Sequence, residues 1–313
     1  MTCFDLSTIP FSEIDVANAP GTVLALGNFD GVHLGHRALL REAVRKSDEL
    51  GAVPGVWLFR APPTDFLKDR PTPHLSTLSD KLTIFRELGI RIAFVEDFKT
   101  VGALSPERFA SDILINTCRC LHAVCGFNYS FGFRGAGDPA LLRSLFNGAV
   151  SEIPPIKIGG IPVSSTRIRS LLIDGDVQTA SELLGRNYSF RSPVLHGKAL
   201  GRTLSFPTIN QDFPPLSVIP KSGIYAVTVH VPSSPTILYG VANIGNRPTV
   251  EVSTHTNCET YILDFDGDLY GEAIEIGFVK RLRDERKMSG TKELKTAISA
   301  DADAARILFR IPL

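Results

Sequence analysis

The chain has no excess of either charge, no long apolar run and no leader-like start. Its 313 residues include 33 lysines plus arginines and 33 aspartates plus glutamates, so it has no general attraction for nucleic acid or an anionic membrane surface. No run of about eighteen apolar residues occurs, and no basic segment leads into an apolar core near the N-terminus. We therefore expect a cytoplasmic protein with no nucleic-acid or membrane partner.

Cysteine is also scarce, with five residues in the chain. An odd number of cysteines in apolar contexts argues against a disulfide framework. Cys118, Cys120 and Cys125 are close in sequence, but they lack the paired CxxC spacing and the spaced histidines of a zinc site. We expect buried free thiols in a reducing compartment.

The length and the pattern of the chain predict two domains. A chain of this length exceeds what one hydrophobic core usually organises. Short apolar runs such as Thr22–Leu26 and Val53–Phe59 alternate with segments of helical period up to about residue 184, which is typical of a parallel sheet covered by helices. We predict an α/β domain over residues 1–184.

The pattern changes near residue 185. Segments of strand character follow one another at residues 224–231, 237–243, 259–265 and 272–279. They predict an antiparallel β domain over residues 185–313, in which Asp266-Gly267 forms a tight hairpin turn. A final helix is predicted over residues 291–308, with Leu294, Ile298 and Ala305 on the face that covers the barrel.

The segment Gly27–His36, GNFDGVHLGH, lies between a predicted strand and a predicted helix. The amides and the positive dipole end of a helix start attract phosphate, and glycine permits close approach of the backbone. His33 and His36 can both donate to phosphate oxygens and so stabilise the charge that develops in adenylyl transfer. Taken alone, the two histidines fit ordinary loop and helix positions equally well. The other residues of the predicted nucleotide site are Gly27, Asn28, Phe29, Asp30 and Gly35.

Three separated blocks resemble the nucleotidyltransferase superfamily and, most closely, the bacterial bifunctional riboflavin kinase/FAD synthetase family. They are GNFDGVHLGH, residues 126–138 and residues 164–169. The resemblance implies a Rossmann-like nucleotidyltransferase domain in which His33 and His36 hold the ATP phosphates. Further nucleotide or phosphate contacts implied by the resemblance are Asn128, Ser165, Thr166 and Arg169. The implied flavin contacts are Phe59, Tyr129 and Phe131.

One segment departs from that family. Where the family usually reads TFDPHP, the chain has LFRAPP at Leu58–Pro63, so an acidic residue and a histidine are missing. In the family these residues lie near the flavin. The departure leaves open a riboflavin kinase whose adenylyltransferase activity is weakened or lost.

The second block of glycine and polar residues is GKALGRTLSFPTIN, residues 197–210. Its glycines allow a loop to bend round phosphates, and the oxygens of Thr208 and Asn210 are hard ligands that suit Mg²⁺. Taken alone, such a segment is more often a structural loop. The predicted ATP contacts in this block are Gly197, Lys198, Gly201 and Arg202.

This second block resembles the riboflavin kinase signature, in which PTxN binds magnesium, and further matches follow at residues 223–225, 240–249 and 259–265. The resemblance implies an antiparallel six-stranded β-barrel with a terminal helix. It makes Glu259 the candidate base that accepts the proton of the ribityl 5′-hydroxyl. The implied flavin contacts in this domain are Asn243, Arg247 and Met288. Asp264 and Asp268 are interpreted as surface carboxylates.

Together the two blocks predict a bifunctional enzyme of flavin cofactor synthesis, acting as a monomer or weak homo-oligomer. The second domain would phosphorylate riboflavin to FMN and release ADP. The first would transfer AMP from a second ATP to FMN, giving FAD and pyrophosphate, and both steps would require Mg²⁺. A non-enzymatic flavin-binding or sensing protein is the alternative from another class, and the intact set of Thr208, Asn210 and Glu259 argues against it.

Overall fold

The computed structural model of the protein describes residues 7–11, 20–67, 71–196, 206–247 and 255–312. The strands of the first half are β1 Ser7–Pro10, β2 Thr22–Leu26, β3 Val53–Phe59, β4 Ile92–Glu96, β5 Cys120–Gly126, β6 Val150–Ile153, β7 Lys157–Ile158 and β8 Ile161–Pro162. Those of the second half are β9 Tyr188–Pro193, β10 Thr208–Asp212, β11 Gly223–His230, β12 Ile237–Arg247, β13 His255–Ile262 and β14 Ala273–Arg283.

The α-helices, in chain order, are α1 Leu34–Leu50, α2 Thr64–Leu67, α3 Leu78–Glu87, α4 Phe98–Val101, α5 Pro106–Arg108, α6 Pro139–Leu145, α7 Ser165–Asp174, α8 Val177–Leu184 and α9 Thr291–Phe309. A π-helical segment, Phe109–Thr117, continues α5. Ser105 caps α5 through its side chain, which accepts the N–H of Arg108, as its Ser-Pro-Glu start predicts.

The first sheet has six strands in the order β1-β4-β3-β2-β5-β6. All neighbours run parallel except the edge strand β1, which is antiparallel to β4. The central strand β2 alternates between two cores, because Leu24 and Leu26 pack with Trp57 whereas Val23 and Ala25 pack with the apolar face of α1. Burial on both faces explains the continuous apolar runs. The predicted α/β architecture with a parallel sheet is confirmed.

The second sheet has six antiparallel strands in the order β10-β13-β12-β11-β14-β9. Its two edges meet, since the Leu195 N–H donates to the Asn210 carbonyl oxygen at 2.8 Å. The buried Gln211 side chain donates to the carbonyl oxygens of Ser192 and Ile274 at 2.5 and 2.9 Å. The sheet therefore curls into a partly closed barrel, which confirms the predicted antiparallel architecture.

The terminal helix α9 covers one flank of the barrel. Ala302 and Ala305 pack into a cluster with residues of β11 and β12, and the small side chains allow the helix to approach the sheet closely. Leu294, which was predicted to face the sheet, is only half-buried. A bidentate ion pair joins the helix to β14, because Arg283 donates to both carboxylate oxygens of Asp301 at 2.8 and 2.7 Å.

The predicted tight turn at Asp266-Gly267 is wrong. The connection between β13 and β14 spans residues 263–272. A positive φ occurs at Asp264 (54°) and not at Gly267. A Cβ at Gly267 would lie 2.7 Å from Cζ of Phe265, so the glycine makes room for a ring. The loop lines a cavity.

The chain divides into two compact units, Met1–Ser165 and Thr166–Leu313. Helix α8 packs against β14 and β9 of the second unit, and the Lys221 N–H donates to the carbonyl oxygen of Leu172 in α7 at 3.0 Å. The domain boundary at residues 184–185 stays a prediction.

Four of the cysteines lie in the described part of the chain, and all four are buried and free, as predicted. Burial raises the pKa of both Cys120 and Cys258 to about 12, so these thiols are inert as nucleophiles at neutral pH. In the described ranges, no helix has the length and apolar character needed to cross a bilayer.

Candidate active sites

Two histidines stack at the start of α1, directly after the turn that follows β2. His33 is the N-cap residue, and its Nδ1 accepts the backbone N–H of His36 at 3.3 Å. The two ring centroids lie 3.7 Å apart, with 13° between the planes. A Cβ on Gly35 would lie 3.1 Å from Cε1 of His33. A side chain at this position would therefore require the His33 ring to move by a few tenths of an ångström.

The protonation of the pair follows from these contacts. Because Nδ1 of His33 accepts the hydrogen bond from His36, the proton of this ring in its neutral form is carried by Nε2, as an N–H donor. Burial, with the neighbouring His33 and Lys81, holds the pKa of His36 well below its usual value. His36 is therefore neutral at physiological pH. The donor and the helix dipole together form a site suited to an anion.

Phe29 and Asp30 support the turn from within. Phe29 has a φ of 52°, is fully buried and meets the His36 ring edge-to-face at 5.3 Å. The Asp30 carboxylate accepts the backbone N–H groups of Leu75 and Ser76 at 2.9 and 3.3 Å. Phe29 and Asp30 therefore support the turn that carries the predicted nucleotide site.

Asn128 lies at the same edge of the sheet as the histidine turn. It is exposed just after β5, and β5 is the parallel neighbour of β2, so both loops follow the carboxyl ends of adjacent strands. The Ser165 hydroxyl donates to the Asp30 carbonyl oxygen at 2.9 Å. Thr166 and Arg169 lie on α7 within the second unit.

The three aromatic residues of the first domain predicted to bind flavin belong to one series of ring contacts. Tyr129 stacks on Phe131 at 5.7 Å, and Phe131 contacts Phe109 at 5.8 Å. Phe109 meets Trp57 at 4.9 Å, and Trp57 meets Phe59 at 4.8 Å. Phe131 is only 5 % exposed, whereas Phe59 and Tyr129 are half-buried. Phe59 also meets the Phe98 ring at 5.5 Å, and Phe131 supports Tyr129 from the core.

The segment that departs from the family sequence carries charged side chains of its own. The Arg60 guanidinium lies 3.6 Å from the Asp97 carboxylate. A short distance along the chain, Nε2 of His74 lies 2.9 Å from the carboxylate of Asp65, which is largely buried. A carboxylate and an imidazole are therefore paired in the part of the chain that follows this segment in sequence.

In the barrel, three polar residues form a row across neighbouring strands. Asn210 on β10 is paired with Glu259 on β13, and Glu259 is paired with Asn243 on β12. Residues in direct register have Cβ atoms about 5 Å apart, so the carboxylate has an amide on each side. Thr208 is two residues before Asn210 and shares its face of the sheet. The row brings together the predicted base, both predicted metal ligands and one predicted flavin contact.

The groups around Glu259 are arranged for ligand binding. The Asn257 amide donates to Oε1 of Glu259 at 3.2 Å. Oδ1 of Asn243 is buried and has no hydrogen-bond partner within the described ranges. A buried acceptor of this kind usually has a partner, so Asn243 is available to a donor on a bound molecule.

Two protein-family models match the chain, FAD synthetase over residues 15–167 and riboflavin kinase over residues 184–309. Similar proteins include bifunctional riboflavin kinase/FMN adenylyltransferases. The one from Bacillus subtilis is 35% identical over 291 residues, which cover 91% of each chain. The one from Escherichia coli is 35% identical over 305 residues, covering 94% of this chain and 96% of the relative.

The chain belongs to the bifunctional riboflavin kinase/FMN adenylyltransferase family. It carries an FAD synthetase domain and a riboflavin kinase domain, and ATP is its co-substrate. The chain is also similar to a solved structure described as a macrolide-efflux protein from Streptococcus pneumoniae. That similarity has a TM-score of 0.83 at 28% identity and covers 91% of this chain and 94% of the other.

The riboflavin kinase domain contains a cavity of about 310 Å³ beside Thr208. The cavity is lined by β10 and by the loop at residues 263–272, including Asp268 and Tyr270. The ring of His196 stacks on Tyr270 with 3.9 Å between centroids. Sequence reasoning missed this loop, because Asp-Gly predicted a turn and the strand was extended to residue 265.

Several predicted residues of the riboflavin kinase domain cannot be placed in the site. Gly197, Lys198, Gly201 and Arg202 lie outside the described residues. Arg247 ends β12, but its side chain is not among those described. Met288 is half-buried in the segment between β14 and α9.

Sequence reasoning also missed Lys81 in the FAD synthetase domain. This lysine is 3 % exposed, and its ammonium donates to the carbonyl oxygen of Asn28 at 2.9 Å. It shares the buried face of α3 with Ile84 and Phe85. The sequence signal that could have identified Lys81 is a charged residue at helical spacing with two apolar residues.

Proposed function

We propose that the two activities of the family are divided between the two sites described above. The riboflavin kinase domain phosphorylates riboflavin to FMN at the row of Asn210, Glu259 and Asn243. The FAD synthetase domain adenylylates FMN at the stacked pair of His33 and His36. The observation that carries this proposal is that each compact unit holds its own constellation suited to one of the two steps.

In the kinase step, the 5′-hydroxyl oxygen of riboflavin attacks the γ-phosphorus of ATP. The new P–O bond forms as the bond to the β-phosphate oxygen breaks, and ADP leaves. Glu259 accepts the hydroxyl proton, and the Asn257 amide, at 3.2 Å from Oε1, holds the carboxylate in place.

The donor set beside Glu259 suits Mg²⁺. Thr208 and Asn210 would hold the cation through neutral oxygen atoms, and the cation would offset the charge of the ATP phosphates. Among the described residues no group of three or more His, Cys, Asp or Glu could hold a metal ion. A cation at this position would be held by these oxygens together with phosphate oxygens, a pattern typical of Mg-ATP.

In the adenylyl step, a phosphate oxygen of FMN attacks the α-phosphorus of ATP, and pyrophosphate leaves. Nε2–H of His33 and the amides at the start of α1 donate to phosphate oxygens as charge develops on them. Neither histidine forms a covalent intermediate. Phe59 and Tyr129 offer ring surface to the flavin, and Asn128, Ser165, Thr166 and Arg169 remain the other proposed nucleotide contacts.

The deciding experiment is chromatography of the products from Mg-ATP with either riboflavin or FMN. Formation of FAD from FMN and of FMN from riboflavin supports both halves of the proposal. FMN alone would confine the activity to the kinase and would implicate the segment at residues 60–62.

Two sets of variants assign each step to its site. His33→Ala with His36→Ala should abolish FAD formation and spare FMN formation. Glu259→Gln should lower FMN formation about 100-fold or more, the usual contribution of a general base, while riboflavin still binds. Glu275→Gln is the matched control, since Glu275 pairs with Arg191 on the surface of β14. Loss of both activities in a folded histidine variant would contradict the division.

A further inference from the structure

The buried ammonium of Lys81 contacts the turn that carries the predicted nucleotide site. It extends from α3 and donates to the carbonyl oxygen of Asn28 at 2.9 Å. The same turn continues through Phe29 to His33 at the start of α1. Lys81 therefore connects a neighbouring helix to the peptide between Asn28 and Phe29.

That contact fixes the direction of a backbone donor. The peptide group is planar, and its C=O and N–H point in opposite directions. Because the Asn28 carbonyl oxygen points to Lys81, the Phe29 N–H points away from it. Within the described ranges this N–H has no hydrogen-bond partner, although the Phe29 side chain is fully buried.

The carboxylates around Lys81 are engaged elsewhere. Asp30, Asp65 and Asp80 all act on its charge, but Asp30 accepts two backbone amides. Asp80 caps α3 by pairing with Thr77, and Asp65 lies against His74. The ammonium thus has one hydrogen bond to the described protein and two further N–H groups. Burial lowers the pKa of Lys81, so an additional anion nearby would stabilise its charged form.

We propose that Lys81 is a positioning residue for ATP in the FAD synthetase domain. By holding the Asn28 carbonyl oxygen, it turns the Phe29 N–H toward the phosphates that the stacked histidines bind, and its charge adds to the attraction for them. The inference rests on the adenylyl step proposed above. Its ligand is the triphosphate of ATP, and its effect is on ATP binding rather than on the flavin.

The test measures KM for ATP and kcat in the conversion of FMN to FAD. Lys81→Met removes both the hydrogen bond and the charge, and Lys81→Arg retains both. We expect KM for ATP to rise at least tenfold in the methionine variant, with most of that loss recovered in the arginine variant. Lys99→Met is the matched control, because Lys99 is exposed beside the Phe66 ring in the same domain.

Two internal readouts separate this role from a structural one. Trp57 is the only tryptophan in the chain and lies in the first unit, so its fluorescence reports whether that unit is folded. ATP should raise the unfolding midpoint seen by Trp57 in the wild type and much less in Lys81→Met. The kinase activity of the same chain should be unchanged.

A folded Lys81→Met protein with a KM for ATP within twofold of wild type would overturn the inference. Lys81→Gln replaces the methionine variant if that one does not fold. Failure of both to fold would make Lys81 purely structural and would equally overturn it. Wild-type protein that makes no FAD would instead defeat the proposed adenylyl step, so the two failures are distinguishable.

Discussion

At the scale of single residues, Gly35 is a sterically constrained position in the histidine site. A Cβ there would meet Cε1 of His33 at 3.1 Å and Nδ1 at 3.2 Å, so an added methyl group must displace the ring. We expect Gly35→Ala to lower FAD formation from FMN at least tenfold and to leave FMN formation unchanged. Gly290→Ala is the control, since a Cβ there meets nothing within 4 Å. Unaltered FAD synthesis in the Gly35 variant would show that the reaction does not require the stacked arrangement of His33 and His36.

The lowered pKa of His36 makes the stability of the first unit depend on pH. The unfolded chain protonates this histidine near pH 6.5, whereas the folded chain keeps it neutral to lower pH. Below pH 6.5 the unfolded state binds more protons, so the free energy of unfolding decreases with falling pH by up to about 1.4 kcal/mol per pH unit.

Replacing His36 with asparagine should remove this contribution. Urea unfolding followed by Trp57 fluorescence, between about pH 5 and 7.5, compares the two slopes. Above pH 6.5 the two proteins should show parallel dependence on pH. A wild-type slope no steeper than that of His36→Asn below this pH would show that the folded histidine titrates normally.

At the scale of elements, the ion pair between Arg283 and Asp301 holds α9 to β14. Asp301 is 7 % exposed, and the neighbouring carboxylate raises the pKa of Arg283. Asp301→Asn leaves the guanidinium without its charged partner, so we expect a loss of about 1.5–3 kcal/mol, typical of hydrogen bonds to charged groups. The amides of α9 should exchange faster with solvent.

The matched control for that prediction is Asp264→Asn. Asp264 makes a similar two-point contact with Arg306 of the same helix, but its side chain is 61% exposed, where an ion pair contributes little. Equal acceleration of exchange in the two variants would mean that burial of the Arg283–Asp301 pair adds nothing to the stability of α9.

The elements most accurately predicted from sequence are those with strong local signals. Thr22–Leu26 and Val53–Phe59 are strands with the predicted bounds, because burial on both faces leaves continuous apolar runs. The loop at residues 263–272 was missed, because Asp-Gly is a local hairpin signal while this loop is shaped by side-chain packing around Phe265.

The residues of the candidate sites also differ in how well the sequence predicts them. The residues at Gly27–His36 were predictable because strand, turn and helix start are adjacent in sequence. The alignment of Asn210, Glu259 and Asn243 depends on the register of three strands that are distant along the chain, and no local pattern contains that register. Lys81 was missed because its contact with Asn28 spans 53 residues.

At the scale of the whole molecule, each unit contains its own core. The first unit buries two apolar clusters on the faces of the parallel sheet, and a further cluster lies between α9 and the barrel. Each set of proposed reacting groups, the histidine pair and the polar row, also lies within one unit. The intermediate FMN is a soluble molecule, so the two steps do not need to occur on one polypeptide.

This independence predicts complementation between chains. A mixture of the His33→Ala/His36→Ala protein, which makes only FMN, with the Glu259→Gln protein, which makes FAD only from FMN, should convert riboflavin to FAD. Because FMN must first accumulate in solution, FAD should appear after a lag that shortens as either protein is increased. An FMN-trapping apoprotein added in excess should suppress the formation of FAD. If the mixture formed no FAD while each variant retained its own step, FMN would have to pass between sites on the same chain, and the units would have to be coupled during turnover.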